Sequence, residues 1–178
     1  MNTVLEQTLT AAKSIDTLNG SFIHVADLPN GSVFTKGNKN SAQVYEVGAI
    51  EAGALDNLWM ASNPVDVVLT DATGNQYKPG ILDPRAFTNK SGLVFSAFKP
   101  QKGDLITITA DGFTNEYEAG THLYANVTAG SNKLTFGATQ TADALSFAIV
   151  EVTYISIASA SALGSQRVPA YLLECVHN

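Results

Sequence analysis

The segment Ser146–Ser156 constrains this chain more than any other. Ala148, Val150, Val152 and Tyr154 alternate with Phe147, Ile149, Glu151, Thr153 and Ile155. A period of two belongs to a β-strand, and here both faces are largely apolar. Such a strand lies in the middle of a sheet or at an interface. The same texture fills the chain from Ser21 onward. Short runs rich in Val, Ile, Thr, Phe and Tyr are punctuated by Gly, Asn, Asp and Pro. The pattern predicts strands at Phe22–Ala26, Val44–Ala49, Val65–Thr70, Leu93–Phe98, Leu105–Ala110, His122–Val127, Lys133–Gly137, Phe147–Ile157 and Ala170–Val176. Alternation in Leu105–Thr109 puts Ile106 and Ile108 on one face. Asp71-Ala72-Thr73-Gly74-Asn75 and Asp111-Gly112 follow strands as turns do. Leu28–Ser32, Lys99–Gly103 and Ala129–Asn132 also read as turns. Ile50–Pro64 and Asn75–Ser91 lack a pattern and read as surface loops. No alternating helices appear, so the expected fold is mainly β: an antiparallel sandwich or a barrel-like domain spanning residues 20–178. The Ala/Ser segment 158–165 is a loop before the last strand in this reading.

Residues 1–19 form a separate arm. Val4, Leu5, Leu9, Ala12 and Ile15 fall near helical spacing, Thr3-x-x-Glu6 fits a capping box, and Asn19-Gly20 fits a stop. The expectation is a short amphipathic helix. Its apolar stripe packs either on its own domain or on a neighbouring subunit. The candidate contact residues are Val4, Leu5, Leu9 and Ile15.

Charge narrows the function. Among 178 residues only 15% are charged, against roughly 25% in an ordinary domain, and the formal net charge is −6. A phosphate-tracking surface needs clustered Lys and Arg, so nucleic acid is not an expected partner. No apolar run reaches the roughly 18 residues of a membrane span. Met1–Leu18 lacks the basic start and continuous apolar centre of a signal peptide, so a cytoplasmic origin is expected. The single cysteine, Cys175, permits no intramolecular disulfide and no thiolate zinc site. It reads as a small buried hydrophobe.

Motifs for chemistry are absent from the sequence. His24, His122 and His177 stand in no metal-binding spacing, and no G-x-S-x-G elbow or phosphate-cradling glycine loop occurs. Asp111, Asn115, Glu116 and Glu118 gather oxygen atoms near one turn, but without the spacing of a calcium loop. Solvated turn carboxylates are the simpler account. The expectation is no cofactor, no metal and no enzymatic activity. Asn-x-Ser/Thr at Asn19, Asn30, Asn89 and Asn126 marks turns rather than glycans.

The order of segments carries more. Gly20-Ser21-Phe22-Ile23-His24-Val25-Ala26 is followed by Asn30-Gly31-Ser32-Val33-Phe34, Val44-Tyr45-Glu46-Val47 and Leu58-Trp59-Met60-Ala61-Ser62-Asn63-Pro64. Phe87–Phe98 then leads into Lys102-Gly103-Asp104-Leu105-Ile106-Thr107-Ile108-Thr109. Later, Glu118-Ala119-Gly120-Thr121-His122-Leu123-Tyr124 precedes Phe147–Val152. Over about residues 20–157 this layout resembles a group of small tailed-phage virion proteins that decorate or cement the capsid. The resemblance implies a non-enzymatic protein on the capsid surface, made in the host bacterial cytoplasm. It also implies the major capsid protein as partner and assembly as a dimer or trimer. The arm and residues 158–178 lie outside the resemblance. The alternative is a carbohydrate-binding β-sandwich or virion adhesin, with Trp59, Tyr77, Tyr117 and Tyr124 as stacking faces.

Overall fold

The computed structural model describes residues 5–8, 19–50, 55–62, 69–70, 76–77, 88–113, 115–127, 134–158 and 165–178. Its strands, in chain order, are β1 (Leu5–Thr8), β2 (Asn19–Ile23), β3 (Leu28–Pro29), β4 (Val33–Lys39), β5 (Tyr45–Gly48), β6 (Trp59–Ala61), β7 (Leu69–Thr70), β8 (Gln76–Tyr77), β9 (Thr88–Asn89), β10 (Val94–Phe98), β11 (Leu105–Thr109), β12 (His122–Val127), β13 (Leu134–Gly137), β14 (Ser146–Ala158) and β15 (Ser165–His177). A 3-10 turn, Ala110–Gly112, follows β11. Five strands close a barrel in the order β10–β2–β5–β4–β6, and six form a sheet in the order β1–β11–β15–β14–β12–β13. The mainly β architecture expected from the alternation is therefore present, as a barrel joined to an open sheet.

Aromatic rings fill the barrel. Phe22, Phe34 and Phe95 are buried with Ala61 and Ala97, whose small side chains leave room for three rings. Phe22 lies at the centre, with ring centroids 5.0 Å from Phe34, 5.0 Å from Trp59, 5.8 Å from Tyr45 and 6.2 Å from Phe95. One pairing departs from the antiparallel expectation. β2 and β5 run parallel, with Phe22 opposite Tyr45. The cause is topological: β5 folds back antiparallel on β4, and this return points it along β2.

The sheet buries its other core. Ile106 and Ile108 share a buried face as their spacing implies, joined by Leu123, Phe147, Ile149 and Leu173. Ile50, Leu55, Leu58 and Met60 pack against them. These four belong to the stretch read from sequence as a surface loop, and that reading is corrected. Irregular backbone here carries apolar side chains inward, and its polar groups are satisfied without a long strand. The Leu145 N–H donates to the Leu55 carbonyl at 2.6 Å. Asn178 does more: its Oδ1 accepts from the Leu58 N–H at 2.8 Å, and its Nδ2 donates to the Leu58 and Pro100 carbonyls at 2.9 Å each. One amide thus ties the end of β15 to the segment that enters the barrel. Asn178→Ala strands the Leu58 backbone groups, and a loss of about 1–3 kcal/mol is expected in urea unfolding. Unchanged stability would show that this tether carries no weight. Asn75–Ser91, also read as loop, contains β8 and β9. β8 pairs with β7 through Leu69–Tyr77 and Thr70–Gln76, in the hairpin register that Asp71–Asn75 suggested.

The Gly103-Asp104 turn enters β11 through a left-handed glycine, Gly103, at φ +87°. Asp104 is fully buried, accepts from the Gln101 N–H at 2.7 Å, and its carbonyl accepts from the Cys175 N–H at 2.9 Å. The turn is therefore fastened directly to β15.

The N-terminal helix is corrected. Leu5–Thr8 is a strand, antiparallel to β11 of the same chain, with Leu5 opposite Ile108 and Thr8 opposite Leu105. A short helix is marginal in water without packing, whereas the free side of β11 offers four residues of ladder hydrogen bonding. Val4, Leu9 and Ile15 lie outside the described residues, as do 9–18. The expected loop at 158–165 is bounded by the paired ends Ala158 and Ser165, and 159–164 lie outside the described residues.

Candidate interaction surface

β14 and β15 are each thirteen residues long, more than twice the length of β11 between which and β12 they lie. β12 pairs with β14 only at Ser146–Ala148, and β11 pairs with β15 only at Ala170–Glu174. Among the described residues no strand flanks the remainder. A two-stranded ribbon therefore continues past the sheet, from Glu151 opposite Leu172 to Ala158 opposite Ser165. At about 3.3 Å per residue it extends roughly 25 Å.

A bulge sets what the ribbon displays. The register shifts between Ile149 and Glu151, so β14 gains one residue against β15. Bulges bend a strand and re-aim its side chains. Before the shift, Phe147 and Ile149 enter the core. After it, Val150, Val152 and Tyr154 stand 47%, 46% and 55% exposed. The Arg167 guanidinium lies over the Tyr154 ring, 4.7 Å from its centroid, and holds that ring flat against the ribbon. The apolarity of both faces, visible in sequence, thus separates along the strand: one end is core and the other is surface.

A second apolar patch caps one end of the barrel. Val25, Leu93 and Val94 are 90%, 62% and 55% exposed. The Ser91 hydroxyl donates to the Val25 carbonyl at 2.7 Å, and the Gly92 N–H donates to the His24 carbonyl at 2.9 Å. Beside them Lys90 pairs with Asp27 at 2.6 Å. That hydrogen bond, then the Ser91 N–H, holds the Asp27 carboxyl below its usual range. An open groove of about 480 Å³ runs beside this patch, lined by Ile23, His24, Asn40 and Glu46.

The residues weighed for chemistry are dispersed. His24 is half-buried, and its Nδ1 lies near the Ala26 backbone. His122 and His177 are exposed on β12 and β15. Glu116 and Glu118 are exposed, and Asp111 sits in the 3-10 turn. Among the described residues no three His, Cys, Asp or Glu side chains converge as a metal site would require. Cys175 is fully buried. Asn30 and Asn89 are buried and bonded to each other, Nδ2 of Asn89 to Oδ1 of Asn30 at 3.1 Å, so these sequons serve packing.

The four aromatics considered for sugar stacking do not form one platform. Trp59 packs on Phe22 in the barrel. Tyr117 belongs to the sheet core, where its ring meets Phe113 and Tyr171 edge-on. Tyr124 is half-buried on β12, and the Tyr77 side chain lies outside the described residues. Of the contact residues chosen from sequence, Leu5 stands in β1 at the edge of the sheet. Val150, Val152, Tyr154 and Arg167 were not chosen. Their signal was the two-faced apolarity of Ser146–Ser156, which marks an interface without saying which half forms it. No protein-family model, no curated protein and no solved structure matches this chain.

Proposed function

We propose that the chain is a non-enzymatic virion structural protein that binds the outside of a bacteriophage head and stabilises the lattice of the major capsid protein. The observation that carries this reading is the β14–β15 ribbon. It presents Val150, Val152 and Tyr154 to solvent on a strand whose free stretch holds a single charge, Glu151. Exposed apolar side chains grouped on a projecting element fit a protein partner. Neutral surroundings suit a surface that becomes buried in a rigid assembly, since interface centres are poor in charge. The layout of segments in residues 20–157 supports the same reading.

The mechanism is mass action. A ligand that binds only the assembled shell stabilises it by RT ln(1 + [L]/Kd) at each site, and many sites on one shell act together. Assembly as a homodimer or homotrimer belongs to the proposal, because each copy then engages several capsid subunits at once.

The test is a titration of heads assembled without this chain. The purified protein should co-sediment with them to a fixed ratio of copies per capsid subunit. Saturated heads should then melt at a higher temperature than bare ones. Failure to co-sediment at micromolar protein would overturn the reading.

A further inference from the structure

We propose that the barrel carries a second binding site, a seat for the carboxylates of an acidic protein segment, formed by Lys36 and Lys39 around Tyr45. The seat depends on an irregularity in β4. Lys36 pairs with Val47 and Lys39 with Tyr45, so three steps along β4 match two along β5. Residues three apart on a regular strand point to opposite faces. The extra residue brings both lysines to the face that holds Tyr45. Gly37 lets the strands approach closely there: a β-carbon on it would lie 2.8 Å from the Glu46 carbonyl oxygen.

The outcome is a tight cationic pair. The Lys36 ammonium lies 4.7 Å from the Tyr45 ring centroid and 5.6 Å from that of Trp59; the Lys39 ammonium lies 5.1 Å from Tyr45. Both charges therefore sit within 10 Å of each other. Both side chains are exposed, and among the described residues no carboxylate pairs with either. Glu46 alternates to the opposite side of β5, where it lines the groove beside His24. In a chain of net charge −6, with 16 acidic against 10 basic residues, two cations are thus held together by aromatic faces rather than by acids.

An anion between the ammoniums relieves their repulsion. The same net charge repels a polyphosphate, and two cations are too few to track one. They match one or two Asp or Glu side chains of a protein. This seat does not depend on the capsid reading, and it would serve an acidic loop of any protein partner.

Trp59 is the sole tryptophan, and it adjoins Lys36, so its emission reports the site. The full chain is titrated at low salt with hexaglutamate, and in parallel with hexaserine and a hexathymidine oligonucleotide. Amide NMR shifts of Tyr45 and Val47 give a second readout. A saturable response to hexaglutamate is expected. It should vanish near 1 M salt, where screening acts over about 3 Å. Lys36→Gln or Lys39→Gln should weaken it about two- to fivefold. The double variant should abolish it without changing the melt, and arginine at both positions should restore it. No response to hexaglutamate would overturn the proposal. So would an equal response to hexaserine, a stronger one to the oligonucleotide, or a response that survives in the double glutamine variant.

Discussion

Truncating Phe22 to alanine is expected to lower folding stability by about 3–5 kcal/mol, the range for a fully buried phenyl ring. Phe22 is 0% exposed and has four aromatic neighbours within 6.2 Å. Two costs combine. The removed ring no longer leaves water, and a barrel closed on all sides cannot collapse into the cavity as an open sheet edge can. Ring pairing adds about 0.5–1.5 kcal/mol per contact beyond burial. A domain of this size holds about 5–15 kcal/mol in all, so the loss consumes a large share. Urea unfolding followed at Trp59, whose ring lies 5.0 Å from Phe22, measures it. Phe22→Leu should lose less. A loss under about 1 kcal/mol would mean that the ring is not the keystone of the barrel.

The opposite behaviour is expected on the ribbon. Val152→Lys with Tyr154→Lys should leave stability within about 0.5 kcal/mol, because both side chains are about half exposed and touch no core residue cluster. Binding to capsid shells should nonetheless fall at least a hundredfold. Completing the burial of two half-exposed apolar side chains contributes roughly 1–1.5 kcal/mol each, and two ammoniums driven into the same contact add a desolvation penalty. Each 1.4 kcal/mol is about tenfold in affinity. Co-sedimentation at increasing protein concentration reads the shift. Unchanged affinity would remove the ribbon from the contact while leaving capsid binding itself open to the titration of the unmodified chain.

Much of the fold was legible because strands announce themselves locally. His122–Val127 has the expected limits, and β10, β11, β13 and β14 match within one residue at each end. β15 begins five residues before the expected Ala170, because Pro169 and the polar Ser165–Arg167 mask its first part. What stayed hidden depends on partners far along the chain. β6 has three residues and exists because β10 and β4 flank it. Leu58 is core because Asn178, 120 positions away, satisfies its backbone. Leu5–Thr8 carries helix-like spacing, yet the ladder offered by β11 decides its conformation. The interaction surface was half legible. Apolarity on both faces of Ser146–Ser156 signalled an interface, but the bulge at Ile149/Glu151 leaves no mark in composition. Lys36 and Lys39 gave no signal at all, since their convergence on Tyr45 depends on another irregularity of register.

Closing five strands into a barrel also removes their edges, and an open edge is what one chain offers another for uncontrolled pairing. The sheet ends in β1 and β13, each only four residues long. The hazard is thereby concentrated in the ribbon, and there it is guarded. Pro169 has no N–H to give a stacking neighbour, Arg167 adds a charge beside it, and the bulge twists β14 away from flatness. A chain needed in many copies at once can then accumulate without growing fibres. The one sticky stretch it keeps is reached through side chains rather than through a bare backbone ladder.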